Sequence, residues 1–433
     1  MLSSAVRKFL RTEVGGMTAF GLVIFGAGLL MSSYAIDVSN LESQMTLLQV
    51  TADSAAHDAL VTRELQTEGE AITAAVLRSE KSMPTNKYGK TLEPKNVVFG
   101  TWDKTKRVFT PVLGSRSAVQ VTLRRTAVNG NPVETFLMKL VGVWHWDVVL
   151  TSTFSTYQPQ CLKEGFVAEG VVDLQSNNGY FNGFCIHSNT YVSLNSNNFF
   201  EPGTVVSMPN LALLDLPTSG YKTNTGLTEA LREGAINIRV LKRIQRIINE
   251  VSDPSSPYYP TFLTNPTPIA LSKSTISATD LISGRIYRWS CKSGNGGTIA
   301  NGTLVRGVVI IADCDVKLGN GAAMEDGILL TTSTSATSIN SPNGFRLGKD
   351  DQCAKGGGGR IVSMGGMKFA ANLEIYGSQL LAMGNVEFAA RADGIEGASI
   401  ISNRMISGTS NMSMSYCNGG MDEFTADYFQ MVE

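Results

Sequence analysis

The chain has 433 residues and a formal net charge of −1, and charged side chains make up 17% of it. This balance leaves no global basic field, which argues against general nucleic-acid binding, and there is no acidic tail. The length exceeds the size at which one hydrophobic core usually divides, so we expect two or more domains.

The first element in chain order is an apolar segment, residues 17–36, without a charged residue. A helix of this length spans the hydrocarbon core of a bilayer, which is about 30 Å thick. Its flanks are basic on one side and acidic on the other: Arg7, Lys8 and Arg11, then Asp37 and Glu42. The positive-inside rule therefore predicts a transmembrane helix with residues 1–16 in the cytoplasm and the body exported.

A cleaved signal peptide is the alternative, since Ser33-Tyr34-Ala35 has the small-x-small pattern of a cleavage site. An ordinary signal-peptide core has about 7 to 15 apolar residues, and this segment is longer. The helical pattern also continues beyond Ala35. We therefore predict a retained single-pass anchor.

Residues 37–83 have the pattern of an amphipathic helix, with no proline and with Gly69 as their one glycine. If this helix is continuous with the anchor, it is roughly 100 Å long. A helix of that length needs a partner, either another domain or similar helices of other subunits. Apolar residues at steps of three and four define the predicted assembly surface of this stem: Val38, Leu41, Met45, Leu48, Ala52 and Ala55.

Residues 84–157 are predicted to form a small α+β domain. Residues 133–142 have an apolar periodicity that predicts a short helix. An antiparallel sheet with one helix, packed against the stem, would bury the apolar faces of both. Four segments have the pattern of strands, and the first two would form a hairpin: 96–99, 107–112, 118–126 and 147–157.

Residues 158–433 repeat with a period near twenty. The sequence VDLQSNN at 172–178 recurs as VSLNSNN at 192–198, and residues 361–365 recur as 380–384. Short apolar strands separated by Asn and Gly at this period are typical of a stacked-coil fold. We predict a right-handed parallel β-helix whose coils stack about 4.8 Å apart.

Residues 225–251 interrupt the repeats with an amphipathic helical pattern that has a basic face. Such a helix could lie on anionic lipid or on an acidic partner. We favour the simpler interpretation, in which it caps or covers the side of the solenoid.

Six cysteines lie in the solenoid region, and none of them forms a C-x-x-C pair. This spacing argues against a zinc site and a thioredoxin-type redox site. An even number of cysteines on the exported side predicts disulfides. Six cysteines allow fifteen sets of pairings, and the alternative of six reduced, buried thiols requires a body in the cytoplasm. Among the pairings we predict bridges between neighbours along the chain: Cys161 with Cys185, Cys291 with Cys314, and Cys353 with Cys417.

The N-terminal third resembles a known family over about residues 10–157. The ordered features are Glu13 with Gly15 and Gly16, the apolar span, Asp37, Leu48-Gln49, and Ala52-Asp53-Ser54-Ala55-Ala56. VVFGTWDKTKRVFTP at 97–111 and PVETFLMKLVG at 132–142 continue the series. This series is similar to the TadG-like proteins of Tad (Flp) pilus assembly, with the strand-rich unit that follows the stem in TadE- and TadG-like proteins.

The resemblance implies a minor pilin or accessory subunit in the bacterial inner membrane, acting in pilus assembly and surface adhesion. The implied partners are TadE- and TadF-like subunits, the major Flp-type pilin, the inner-membrane assembly platform and membrane lipid, with a glycan or host surface as a target. Two departures matter. No Glu lies in the apolar span five residues after Gly15 or Gly16, so we expect no prepilin cleavage. The D-x-S-x-S of a von Willebrand A domain is also absent.

Residue types that carry chemistry are sparse. The three histidines lack metal-ligand spacing, and the absence of G-x-x-x-x-G-K-[ST] excludes an ordinary pilus ATPase. We therefore expect no catalytic site, cofactor or metal. The alternatives are a stand-alone adhesin and a β-helix enzyme acting on polysaccharide, which would need clustered carboxylates. The close acidic pairs in the solenoid are Asp313 with Asp315, and Asp350 with Asp351, the latter as weak metal candidates.

Overall fold

The structure is a computed structural model that describes residues 14–291, 296–352, 354–417, 419–420 and 422–433. The chain divides into two compact units: Met1–Tyr157 together with Asp427–Glu433, and Gln158–Ala426. Each unit has its own hydrophobic core. The second unit is therefore an insertion in the first. The predicted solenoid boundary at residue 433 extends too far, because the last seven residues belong to the first unit.

The helices are α1 (Val14–Arg63), α2 (Glu68–Ser82), α3 (Thr85–Tyr88), α4 (Gln160–Lys163), α5 (Leu227–Ala230) and α6 (Ile244–Glu250). The strands before the solenoid are β1 (Val97–Asp103), β2 (Val108–Pro111), β3 (Ala118–Arg125), β4 (Val133–Glu134), β5 (His145–Trp146) and β6 (Val148–Tyr157). The solenoid strands are β7 (Gly165–Ala168), β8 (Val172–Leu174), β9 (Gly179–Phe181), β10 (Cys185–Ser188), β11 (Val192–Leu194), β12 (Phe199–Phe200), β13 (Val205–Met208), β14 (Leu231–Glu233), β15 (Ile269–Leu271), β16 (Thr275–Ile276), β17 (Ile286–Trp289), β18 (Gly297–Ile299), β19 (Leu304–Arg306), β20 (Val309–Ala312), β21 (Val316–Leu318), β22 (Ala323–Glu325), β23 (Gly327–Thr331), β24 (Ile339–Ser341), β25 (Arg346–Leu347), β26 (Gly359–Ser363), β27 (Met367–Ala382), β28 (Val386–Ser402), β29 (Ile406–Gly408) and β30 (Ser413–Ser415). The last strand of the chain is β31 (Tyr428–Met431).

The two halves of α1 have different environments. Its N-terminal part is long and apolar enough to cross a membrane, with a mean hydropathy of 1.9, and only 6% of this stretch is buried. An N-terminal signal sequence can have the same length and composition. Its C-terminal part packs against β3 and β6 through fully buried residues such as Leu48, Ala52 and Ala55. Small alanine side chains let the sheet approach the helix closely. The long N-terminal helix is thus confirmed, with an exposed apolar half and a packed half.

The predicted continuity of this helix to residue 83 is wrong. The helix α1 ends at Arg63, and α2 packs against it. Thr67 caps α2 in a capping box with Glu70, whose side chain accepts from the Thr67 backbone N–H at 2.9 Å. This T-x-x-E signal is visible in the sequence and marks the start of a new helix, in which Ala71 and Ala75 are buried.

The first unit contains an antiparallel sheet in the order β2-β1-β3-β6-β31. The predicted hairpin and the two longer strands are confirmed. The predicted helix over 133–142 is wrong: β4 pairs with β5, and only one 3₁₀ turn, Met138–Val141, lies between them. Tyr157 and Tyr428 lie opposite each other in β6 and β31, so the chain leaves this sheet and returns to it at the same place.

The second unit is a parallel β-solenoid, as predicted. A complete repeat supplies one strand to each of three faces: β7 lies on the first face, β8 on the second and β9 on the third. The repeats predicted from the sequence are in register. Val172 pairs with Val192, Ile361 with Leu380, and Phe369 with Phe388. The right-handed sense of the coil stays a prediction.

Buried asparagines connect successive coils at one corner of the solenoid. The Asn198 side-chain oxygen accepts from the Asn178 backbone N–H at 2.9 Å, and that of Asn224 accepts from the Asn198 backbone N–H at 3.2 Å. Asn177 and Asn197, at the preceding position, adopt φ of 61° and 62°. Asn tolerates this left-handed conformation better than most residues, which explains the repeated Asn-Asn pair.

The coils are not stacked in chain order. The first strand of the unit, β7, pairs with β10 on one side and with β28, near the end of the unit, on the other. The chain therefore enters the middle of the stack and runs to β14 at one end. It then crosses to β15 at the other end and returns to the middle. We call the β28–β7 junction the seam.

Residues 234–268, which we call the strap, make this crossing over the outer surface of the first face. The side-chain oxygen of Asn189 accepts from the Ile236 N–H at 3.0 Å, α6 contacts β26, and the Thr264 N–H donates to the Gly284 carbonyl at 3.0 Å. The outward side chains of the first-face strands are also apolar and buried. This burial on both sides explains the continuous apolar runs of these strands. The buried outward residues include Ile311, Leu330, Val362, Leu381 and Ile401.

The prediction of one helix over 225–251 is wrong. Only α5, α6 and the 3₁₀ turn Leu241–Arg243 are helical there, and β14 lies between them. The segment nevertheless covers the side of the solenoid, as the simpler interpretation held. Its apolar positions, including Ile244, Ile247 and Ile248, are buried.

Two of the three predicted disulfides are present, Cys161–Cys185 and Cys291–Cys314. Cys353 lies outside the described residues, so the predicted bridge to Cys417 stays a prediction. The pattern of close bridges fits a body outside the cytoplasm.

Candidate functional site

A groove of about 550 Å³ opens on the solenoid where the first-face strands turn into the second face. Its floor is built by the turns that follow β26 and β27, and the 334–337 loop forms one rim. The residues that line the groove include Met364, Gly365, Gly366, Lys368, Met383, Gly384, Glu387 and Arg404.

Glycine makes the floor of this groove. A Cβ on Gly365 would lie 2.2 Å from the Ser335 carbonyl oxygen, and one on Gly384 would lie 2.6 Å from the Gly366 nitrogen. Successive turns therefore approach each other closely because they have no side chains there. The result is a closely packed backbone floor, with Gly365 and Gly366 buried and Gly384 half-buried, between side-chain walls.

The walls combine apolar and charged side chains. Met364 and Met383 occupy equivalent positions in neighbouring coils, and both are half-buried. Lys368 and Glu387 also lie one coil apart, with Nζ and Oε2 at 3.4 Å, and Arg404 is exposed. This arrangement offers hydrogen-bond donors, one carboxylate and apolar surface to an extended ligand lying along the stack. Glu387 is the one carboxylate in the lining, whereas glycoside hydrolysis ordinarily requires two.

The predicted acidic pairs do not contribute to this groove. The Asp313 carboxylate accepts from the Ser290 hydroxyl at 2.8 Å, and that of Asp315 accepts from the Ser333 hydroxyl. Asp350 is exposed, and Asp351 lies in a turn 3.8 Å from the Lys349 ammonium. Each carboxylate is thus engaged locally or solvated.

Among the residues that the structure describes, one three-residue cluster has ligand atoms as close together as in a metal site: Cys291, Asp313 and Cys314. The two sulfurs are joined in a disulfide and supply no thiolate ligand. The residues present therefore do not fit a metal ion.

The three histidines lie apart. His57 and His145 are exposed. His187 is fully buried, with Nδ1 2.7 Å from the Ser207 hydroxyl and Nε2 2.9 Å from the Asn189 side-chain oxygen. Burial lowers the pKa of His187, so its neutral form is favoured. It is a satisfied part of the solenoid wall.

A buried charged cluster, which the sequence did not indicate, holds the last chain segment of the second unit. Arg360 lies over the Phe424 ring with its guanidinium carbon 4.3 Å from the centroid, and Gln379 exchanges two hydrogen bonds with the Phe424 backbone. Burial lowers the pKa of Arg360 to about 10. Burial and the nearby Glu164 raise the pKa of Glu423 well above its usual value. These contacts attach the last segment of the unit to the first face.

Asp37 makes a second buried contact that the sequence did not reveal. Its side chain is fully buried directly after the apolar span. One carboxylate oxygen accepts from the Phe136 N–H at 2.6 Å, and the other accepts from the N–H groups of Leu137 at 2.9 Å and Met138 at 2.6 Å. We call this contact the Asp37 clamp. It explains why residues 136–141 form a tight turn instead of the predicted helix.

We expect Asp37→Asn to accelerate amide hydrogen exchange at residues 136–138. The asparagine side chain would place an NH₂ donor where one carboxylate oxygen of Asp37 now accepts two backbone N–H groups. Burial raises the pKa of Asp37, but the three backbone donors outweigh it and the net pKa is lowered. The clamp should therefore be complete above the unfolded-state pKa of about 3.9 and weaken as the pH falls through the folded-state pKa. Exchange measured by mass spectrometry against pH tests this.

Asp53→Asn on the same helix is the matched control, since within the described part of the chain the Asp53 carboxylate accepts one hydrogen bond, from the Gln49 side chain. Equal exchange at 136–138 in both variants would contradict the clamp.

No curated protein and no solved structure shows a significant match to the chain. Residues 165–418 match the family model described as Domain of unknown function (DUF7867). The match begins with β7, covers every solenoid strand through β30, and extends over more than half of the chain. The chain belongs to the DUF7867 family.

Proposed function

We propose that the protein is a TadG-like minor pilin or accessory subunit of a Tad (Flp) pilus, anchored in the bacterial inner membrane. The solenoid is its exported head, which contacts a partner or a surface without bond chemistry. The implied partners are TadE- and TadF-like subunits, the major Flp-type pilin, the assembly platform and membrane lipid.

The observation that supports this best is the division of α1. Its N-terminal half exposes large apolar residues such as Phe20 (64%) and Phe25 (65%), while its C-terminal half packs on an antiparallel sheet. A helix of this kind can sit in a bilayer and can also pack with similar helices. The last strand of the chain completes the sheet, so the stem unit carries the solenoid as an insertion.

The surface available for assembly is smaller than the sequence pattern indicated. Leu48, Ala52 and Ala55 belong to the core of their own unit and are not free to contact a second chain. Val38 and Leu41 are half-buried, and Met45 is 38% exposed. The exposed span at 17–36 and the exposed side of the stem, including Val50 (55% exposed), are the surfaces we propose for subunit contacts.

The test is photo-crosslinking of the full-length protein in its native membrane, with a photo-reactive residue at Val50 and, as a matched control, at the buried Leu48. We expect Val50 to capture pilin-like single-pass proteins and Leu48 to capture only its own chain. Capture of lipid or nothing at Val50 and across the exposed span would contradict the pilus role.

The groove supports adhesion as the role of the head. A glycan running along the stack could use the donors of Lys368 and Arg404. We expect Lys368→Glu with Arg404→Glu to reduce binding of the protein to its target surface or to a glycan array, while Lys317→Glu on the same face has little effect. Polysaccharide turnover that Asp350→Asn or Asp351→Asn abolishes would instead establish the enzymatic alternative.

A further inference from the structure

The segment 135–144, which we call the apolar loop, presents large apolar side chains to solvent. Phe136 is 64% exposed, Leu140 83%, Val141 49% and Trp144 62%. Scattered exposed apolar residues are normal, but four within nine positions form an apolar patch of the kind that marks an interaction site.

This exposure is built into a fixed backbone. The Thr135 N–H donates to the Trp144 carbonyl at 3.2 Å, and its hydroxyl donates to the Val143 carbonyl at 2.6 Å. The Val143 N–H donates to the Met138 carbonyl at 3.1 Å. The β4–β5 pair closes the base of the loop. The loop therefore holds its apolar side chains outward instead of folding them inward.

The Asp37 clamp places the loop at the end of the apolar span. Asp37 directly follows Ile36, the last residue of the span, and its carboxylate holds three consecutive amides of the loop. A bilayer has an interfacial layer of roughly 5–7 Å on each side of its hydrocarbon core. A loop held against the first residue beyond the core lies at that depth.

The helix surface at the same level is also apolar. Tyr34 is 58% exposed and Ile36 is 51% exposed, so the end of the span exposes apolar surface beside the residue that holds the loop. Tryptophan and tyrosine favour the membrane interface because their rings have both apolar and polar parts. The surface that already surrounds the span is therefore the partner with the matching chemistry.

We propose that the apolar loop is a second membrane contact, which inserts Phe136, Leu140 and Trp144 into the exported-side interface of the bilayer that holds the span. This inference rests on the proposed anchoring of the protein. A single helix leaves the body free to rotate and tilt. A second contact at fixed distance from the helix would set the orientation of the first unit on the membrane.

The experiment uses the full-length protein in vesicles of phosphatidylcholine and phosphatidylglycerol, at low protein-to-lipid ratio. Leu140→Cys carries an environment-sensitive fluorophore; among the described residues no native cysteine is free to compete for the label. Leu113→Cys is the control, since Leu113 is 95% exposed. Leu113 is next to Gly114, whose carbonyl accepts a hydrogen bond from the Arg63 side chain. Arg63 lies roughly 39 Å along the helix from Asp37, so the Leu113 label is far from the end of the span.

We expect the Leu140 label to shift to the blue and to lose most of its emission when lipids carry nitroxides near the headgroups. The Leu113 label should keep its emission. Retention of the protein after carbonate extraction with an unquenched Leu140 label would overturn the inference and leave the anchor intact. Release by carbonate would overturn the anchor and the inference together. A blue shift without lipid quenching would assign the loop to a protein contact and overturn it too.

Discussion

Replacement of Phe166 by alanine is expected to lower the free energy of unfolding of the solenoid by about 3–5 kcal/mol, the range for deleting a buried aromatic side chain. Phe166 is fully buried in β7, and its ring lies 4.9 Å from that of Phe184 and 5.4 Å from that of Phe388. Phe388 lies in β28, across the seam from β7, so the Phe166 side chain packs in the core on both sides of the seam. Urea unfolding followed by circular dichroism measures the effect.

Phe199→Ala is the matched control, because Phe199 lies in β12 of the same solenoid and is 42% exposed. Its substitution should cost much less. A loss at Phe166 no larger than that at Phe199 would show that the seam does not hold the two parts of the stack together.

Two arginines in the apolar span, Phe25→Arg with Leu29→Arg, are expected to abolish stable membrane insertion. Each arginine near the centre of a transmembrane helix costs about 2.5–3.5 kcal/mol, so the pair costs about 5–7 kcal/mol. Both positions are more than half exposed in the protein, so the fold of the first unit should not change. Carbonate extraction of membranes, with recovery of the protein in the soluble fraction, measures the loss.

Val50→Arg is the control on the same helix, since Val50 is exposed but lies beyond the span. It should stay with the membrane. The N-terminal sequence of the mature wild-type protein separates the two interpretations of the span: an intact segment supports an anchor. A mature protein that begins near Ile36 would establish a signal peptide and overturn the anchor.

The permuted order of the coils has a structural reason in the insertion. A simple stack would leave the two ends of the inserted unit at opposite ends of the solenoid. Here the chain enters and leaves on neighbouring coils, since Gly165 pairs with Ser399, and it rejoins the sheet where Tyr428 pairs with Tyr157. An inserted domain needs ends that lie close together. Starting in the middle of the stack and crossing by the strap satisfies that need.

The sequence by itself determined the features that depend on local pattern. The exposed apolar span follows from composition, and the register of neighbouring coils follows from the repeat, so that Val172 opposite Val192 could be read directly. The Cys161–Cys185 and Cys291–Cys314 bridges join residues about one coil apart, and their proximity follows from the same period. Even the start of α2 had a local signal in the capping box at Thr67.

Only the tertiary structure decided which distant segments meet. The seam joins β28 to β7, over 230 positions apart in sequence, and no local periodicity specifies such a pair. Burial of open coil edges and closure of the inserted unit select it instead. The alanine stripe of α1 likewise has the same pattern whether it packs on its own sheet or on another subunit. In the sequence Asp37 is an acidic residue that flanks the apolar span. Only the fold places the backbone N–H groups of residues 136–138 against its carboxylate. Long-range packing chose between alternatives that were locally equivalent.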